Sequence, residues 1–164
     1  MDDRFKKFIP IILKHEGGYV WDLDDLGGET KYGITKRRYP DLDIKNLTVK
    51  QATDLYYKDF YLDMKLFYIK DDLLALHVFD MGINAGKRTA VILLQKLLRG
   101  CDNDGAIGPI TAQAIAYADV TTNLVEAYIA KRVDRYYYVS TLRKNAKFLK
   151  GWINRVRNTK LSTS

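Results

Sequence analysis

The sequence predicts a mainly α domain with one small β element, and three observations lead to that expectation. Apolar residues recur at helical spacing over most of the chain, beginning with Phe5, Phe8, Ile9, Ile12 and Leu13. Residues 17 to 35 break that period, gather five of the eleven glycines and hold short strand-like pieces at 19–21 and 32–35. Hydrophobic residues make up 47% and charged residues 29% of 164, a balance that supports a real core.

Each element has its own justification. Asp2 or Asp3 can cap the first helix, and Pro10 should kink or split it because its ring displaces a backbone bond. Thr48 and Gln51 have the spacing of a capping box, and Val49, Ala52, Leu55, Tyr56 and Phe60 continue as an apolar stripe. Asp71 and Asp72 open LLALHVFDMGINAG, apolar nearly all round, as suits the centre of a bundle; Gly86 ends it. Residues 88–98 form the next helix. CDNDGAIGPIT is a turn, with Pro109 where a helix begins, and a short helix follows over 110–118. A long helix runs from Asn123 through Tyr138, and a last one holds Phe148, Trp152, Ile153 and Val156. These patterns predict one globular domain with no low-complexity linker.

Composition excludes several classes. No run of about 18 apolar residues exists, so no membrane span is expected. The start has acids ahead of its lysines, a short apolar patch and no small-residue cleavage site, so no signal peptide is read and synthesis in the cytoplasm is expected. The one cysteine, Cys101, allows neither an internal disulfide nor a metal cluster and reads as a small buried hydrophobe. Residues 131–164 carry ten Lys/Arg against Asp134 alone, a charge of +9, which leaves the first 130 residues at −2 of the total +7. Such a segment suits an anionic partner: nucleic acid, an acidic membrane or an anionic cell-wall polymer. No helix-turn-helix, RRM or zinc pattern supports nucleic acid.

The chemistry points to Glu16. It continues the first helix's stripe (5, 8, 9, 12, 13, 16) into the last turn, where partial burial and the helix dipole both disfavour the charged carboxylate. Gly17 and Gly18 end the helix and leave space before the carboxyl group. Asp25 lies nine positions on, followed by Gly27, Gly28 and Thr30. An acid on a helix facing a second carboxylate on a glycine-rich hairpin is what glycosidic hydrolysis needs. One group protonates the leaving oxygen; the other orients water or stabilises the oxocarbenium ion. Asp22 and Asp24 are rivals for the second role, and turn chemistry alone accounts for any of the three.

These residues carry a resemblance. EGGY followed by D-x-GG-x-T-x-YGIT is similar to the signature of glycoside hydrolase family 108 muramidases, a lysozyme-like family often encoded by phages and prophages. Some members are described as secretion activators. Glu16, Asp25 and Thr30 give E-x8-D-x4-T, one residue shorter in the last interval than the E-x8-D-x5-T of phage-type lysozymes. Downstream, VFDMGINAG, LLQKLLRGCDNDGAIGPITAQAI and FLKGWINRV resemble the family's later segments, and the resemblance implies a lysozyme-like catalytic region over 1–92 and a predicted peptidoglycan-binding region over 93–164, packed into one globular domain.

The resemblance implies a muramidase cleaving the β-1,4 bond between N-acetylmuramic acid and N-acetylglucosamine, for bacterial cell-wall lysis. Glu16 would be the general acid, Asp25 the second carboxylate, and Thr30 would position water. It implies peptidoglycan glycan strands as substrate, action in the periplasm or outside the cell, a holin as export partner, and no cofactor or metal. Tyr19, Trp21 and Tyr32, in the catalytic loop, are the expected sugar-packing aromatics. His77, Asp80 and Asn84 share one face of the central helix; Asp80 or Asn84 would line the saccharide groove or join an internal hydrogen-bond network to the hairpin, and His77 reads as structural. Tyr136 to Tyr138, Trp152 and Arg155 read as structural, and the DGAIGPIT turn needs no ligand to explain it. Anionic envelope polymers are the natural partners of the basic segment. The rival class is a basic cell-wall-binding protein without catalysis, acting in export regulation.

Overall fold

The computed structural model describes residues 1–18, 20–21, 28–118, 122–142 and 145–161. The chain divides into two compact units, Met1–Asp59 and Phe60–Ser164. The mainly α architecture with a small antiparallel sheet is the one expected.

The first unit begins with helix α1 (Asp3–Glu16), capped by Asp2, whose carboxylate accepts the Phe5 N–H at 2.7 Å. The stripe buries Phe5, Phe8, Ile9 and Ile12, and the Phe5 ring meets that of Tyr57 with centroids 4.9 Å apart. Pro10 lies inside α1 without splitting it, so of the two expected outcomes a split does not occur. The reason is exposure: Pro10 and Lys6 both lie on the solvent side, so water can serve the carbonyl that loses its partner.

Strands β1 (Val20–Trp21), β2 (Glu29–Lys31) and β3 (Ile34–Thr35) form an antiparallel sheet in that order, one strand more than a simple hairpin. Thr30 pairs with Val20 on one side and Thr35 on the other. Between β2 and β3 the turn is only Tyr32 and Gly33, at φ 52° and 73°. Two left-handed residues match a primed hairpin turn, whose twist suits the flanking strands. Helix α2 (Val49–Tyr56) opens on the expected capping box, with Thr48 and Gln51 bonded reciprocally. It buries Ala52 and Tyr56, while Val49 is exposed. Its stripe does not continue as α-helix to Phe60: the chain widens into a π-turn over Tyr57–Leu62.

The second unit centres on helix α3 (Asp72–Ala85), capped by Asp71 through the Leu74 N–H at 2.7 Å. All nine residues from Leu74 to Gly82 are buried, as an all-round apolar helix requires. A Cβ on Gly82 would stand 2.5 Å from Met64 Sδ, so the absent side chain makes room for that methionine. Gly86 ends α3 at φ 94° and begins α4 (Lys87–Gln95). Helix α5 (Pro109–Tyr117) starts on Pro109; α6 (Thr122–Ser140) and α7 (Leu149–Asn158) follow. No helix among the described residues is long and apolar enough to cross a membrane.

Candidate active site

Glu16 is the last residue of α1, and Gly17 after it takes a left-handed φ of 66° that ends the helix. Among the described residues, a Cβ placed on either Gly17 or Gly18 would meet nothing within 4 Å. Glu16 itself is half-buried, and its Oε1 is shut off from solvent. Its carboxyl group lies against the hairpin turn. A Cβ on Gly33 would stand 2.2 Å from Glu16 Oε2, 2.7 Å from Glu16 Cδ and 2.5 Å from the Tyr56 hydroxyl oxygen. The carboxyl group and the tyrosine hydroxyl therefore occupy the space a side chain at 33 would need.

Tyr56 also fixes the turn. Its hydroxyl donates to the Tyr32 carbonyl at 2.7 Å, holding a non-glycine residue in the left-handed region. The Lys31 ammonium lies 5.5 Å from the Tyr32 ring centroid. Thr30, on β2 of the same hairpin, is half-buried, and its hydroxyl makes a long 3.5 Å bond to the Gly28 carbonyl. The structure thus brings Glu16 to the turn of the hairpin that carries Thr30 and Tyr32. Asp22, Asp24, Asp25 and Tyr19 lie outside the described residues, as does the side chain of Trp21.

Asp80 and Asn84 are engaged elsewhere. Asp80 is fully buried in an ion network: Arg132 Nη2 bonds its Oδ2, Arg155 Nε donates to its Oδ1 at 2.9 Å, and the Thr159 hydroxyl is 3.3 Å from Oδ2. Burial pushes the Asp80 carboxyl up, but the charges of Arg132 and Arg155 outweigh it and hold it below the usual range. His77 accepts from Arg132 through Nδ1 at 2.6 Å; burial first, then the guanidinium charge, lowers it to about 3, so the ring is neutral. Asn84 Oδ1 accepts from the Tyr136 hydroxyl at 2.8 Å, and Tyr136 stacks on Trp152 at 5.3 Å. The internal network expected for this face is present, but these bonds run to α6 and α7 and not to the hairpin.

A second polar hub explains the DGAIGPIT turn. Buried Gln95 places its Nε2 within 2.7 Å of Asp104 Oδ1 and 3.0 Å of both the Ala106 carbonyl and the Thr111 hydroxyl, while its Oε1 accepts the Gly105 N–H at 2.8 Å. The motif is an internal clasp between α4 and α5. Cys101 is half-exposed and not buried, because it sits in the turn just before that clasp. Among the described residues no group of three potential ligands could hold a metal.

Two residues next to Glu16, Gly33 and Tyr56, are not singled out by the sequence. Gly33 was visible only as part of YGIT, and Tyr56 only as one apolar position on α2's stripe. A tyrosine on a buried stripe needs a partner for its hydroxyl, and that was the available signal.

Known proteins resemble this chain in sequence and fold. Residues 9–86 match the family model described as Glycosyl hydrolase 108, and residues 89–157 match the Predicted Peptidoglycan domain. Among solved structures, Brucella abortus SagA matches with 29% sequence identity and a TM-score of 0.76, over 94% of this chain and 90% of that one. No curated protein matches significantly. The fold is the mainly α, lysozyme-like one expected from the sequence. The two family matches support a peptidoglycan hydrolase, with peptidoglycan as substrate or partner. Residues 9–86 are thus similar to the glycosyl hydrolase 108 family, and residues 89–157 to a predicted peptidoglycan domain.

Proposed function

We propose that the protein is an N-acetylmuramidase that cleaves the β-1,4 bond between N-acetylmuramic acid and N-acetylglucosamine, with Glu16 as general acid. The carrying observation is the Glu16 carboxyl group, half-buried at a helix end and held against Gly33 of the hairpin turn. Such a group can sit beside the glycosidic oxygen while one oxygen stays sheltered from water. As the C1–O bond breaks, its electron pair goes to the leaving oxygen, which takes the Glu16 proton. A water oxygen then bonds to C1 and gives a proton to the second carboxylate, for which Asp25 is our assignment. Thr30 would help to place that water, and Tyr19, Trp21 and Tyr32 would pack on the sugar rings. Carboxyl groups about 6.5–9.5 Å apart give inversion, and about 5–5.5 Å gives retention through a covalent intermediate.

The basic segment would hold the enzyme near anionic envelope polymers. Arg132 and Arg155 are committed to Asp80, so the remaining cations carry this attraction, and raised salt should weaken pelleting with cell walls. Retention that is indifferent to salt would remove this part of the reading. Lysis in a phage or prophage setting, with a holin for export, completes the proposal; lysis on inducing the chain without any co-expressed holin would remove that partner.

A turbidity assay on purified peptidoglycan tests the catalytic assignment. Wild type should clear the suspension, and Glu16→Gln should slow clearing at least about 100-fold, the low end of a general acid's contribution. Equal clearing by both proteins would sink it. Failure of both to clear, with pelleting intact, would favour a non-catalytic wall-binding protein.

A further inference from the structure

Helix α5 has two different faces. One buries Thr111 and Ile115; the other presents Ile110, Gln113, Ala114 and Tyr117 at i, i+3, i+4 and i+7. Ile110 is 64% and Tyr117 81% exposed, a large apolar exposure for one short helix. This face forms one wall of a groove of about 720 Å³, completed by Leu97 and Arg99 in the turn after α4 and by Leu124 on α6. That volume is in the range of ligand clefts, roughly 300–1,000 Å³. Every described lining residue falls within 89–157, the stretch matching the predicted peptidoglycan domain, and none of the described ones is Asp or Glu. Arg99 is exposed at the groove, and no acid among the described residues pairs with it.

We propose that this groove binds the peptide stem of peptidoglycan. A stem of alanines and acidic residues offers small methyl groups for Leu97, Ile110 and Ala114, and carboxylates for the unpaired guanidinium of Arg99. Tyr117 supplies a flat wall, and the Gln113 amide can bond the stem's backbone. The glycan is the poorer occupant. Sugar hydroxyls need dense polar partners, and the one side-chain amide, one guanidinium and one phenol among the described lining residues would leave many of them unpaired.

The inference rests on peptidoglycan being this protein's target, and its test separates the two claims. The probes are the free tetrapeptide L-Ala–γ-D-Glu–diaminopimelate–D-Ala and the peptide-free disaccharide, titrated calorimetrically into the full chain, with sacculus clearing measured in parallel. We expect the tetrapeptide to bind, the disaccharide not to displace it, and Arg99→Ala to weaken it roughly tenfold, the usual scale for one exposed charge-assisted contact. Arg99→Lys should restore part of the loss and Tyr117→Ala should weaken binding too; both positions are exposed, and unchanged thermal melting verifies that the variants fold. A tetrapeptide that fails to bind, or binds Arg99→Glu as well as wild type, overturns the proposal, as does displacement by the disaccharide. Clearing without tetrapeptide binding discards the groove alone. Tetrapeptide binding without clearing discards the hydrolase and keeps the groove.

Discussion

A methyl group at residue 33 would stand 2.2 Å from Glu16 Oε2 and 2.5 Å from the Tyr56 hydroxyl, and its backbone would be strained at φ 73°. Gly33→Ala therefore acts twice. The left-handed backbone costs about 1–2 kcal/mol of stability for a residue with a Cβ. Displacing the acid costs more in rate, since a 1 Å misplacement can lose about 100-fold. A modest fall in Tm with a near loss of clearing is the expected pair of results. A variant with reduced Tm but full activity would separate Glu16 from the turn. The glutamate itself was legible in the sequence because helical spacing and a Gly-Gly stop are local patterns. Its neighbours Gly33 and Tyr56 were not, because their contact joins positions 17 and 40 residues away, and no local period encodes it.

At the scale of elements, two helices carry features that can be measured. Pro10 interrupts the bonding of α1 from an exposed position, so Pro10→Ala restores one backbone donor with no core cost. A proline interior to a helix is disfavoured by about 3 kcal/mol, partly offset by its smaller unfolded-state entropy, so Tm should rise. A lower Tm by scanning calorimetry would mean that the proline ring contributes packing. In α3, His77 is neutral in the folded protein, lowered from 6.5 to about 3 by burial and Arg132. The unfolded chain takes up that proton below about 6.5, so stability is lost as pH falls from about 6.5 towards 3. The depressed Asp80 carboxyl acts in the same direction but only at lower pH, as its unfolded counterpart protonates near 3.8. His77→Gln keeps an acceptor for Arg132 without titrating, and should flatten the dependence of Tm on pH between 6.5 and 4. Parallel curves for the two proteins would assign the acid sensitivity elsewhere. Capping boxes and apolar stripes made these helices readable. The π-turn after α2 was not, because Phe60 continues the stripe although the backbone widens.

At the scale of the whole molecule, two divisions of the chain differ. The family matches break between residues 86 and 89, beside the helix-ending Gly86. The compact units break at Asp59 and Phe60, which places α3 with α4 to α7. Chemistry favours the second division, because Asp80 on α3 finds Arg132 on α6, Arg155 on α7 and Thr159 beyond it. A fragment ending at residue 92 leaves a nine-residue buried run, with the Asp80 carboxylate in it, without these partners. Removing one side of a buried pair costs about 3–5 kcal/mol, so α3 in that fragment should show no cooperative melting by circular dichroism. A cooperative transition as sharp as the full chain's would make the family boundary the folding boundary as well. The sequence could nominate Asp80 and Asn84 as polar groups in need of partners. Pairing them across more than 50 positions required the fold.

The central claim is that Glu16 donates the proton in cleavage at N-acetylmuramic acid. Mass spectrometry of the soluble products from a peptidoglycan digest, with reducing ends labelled by borohydride, reads it directly. Wild type should release fragments ending in reduced N-acetylmuramic acid, and Glu16→Gln at equal concentration should release almost none. Fragments ending in reduced N-acetylglucosamine, or equal release by the two proteins, would contradict the account.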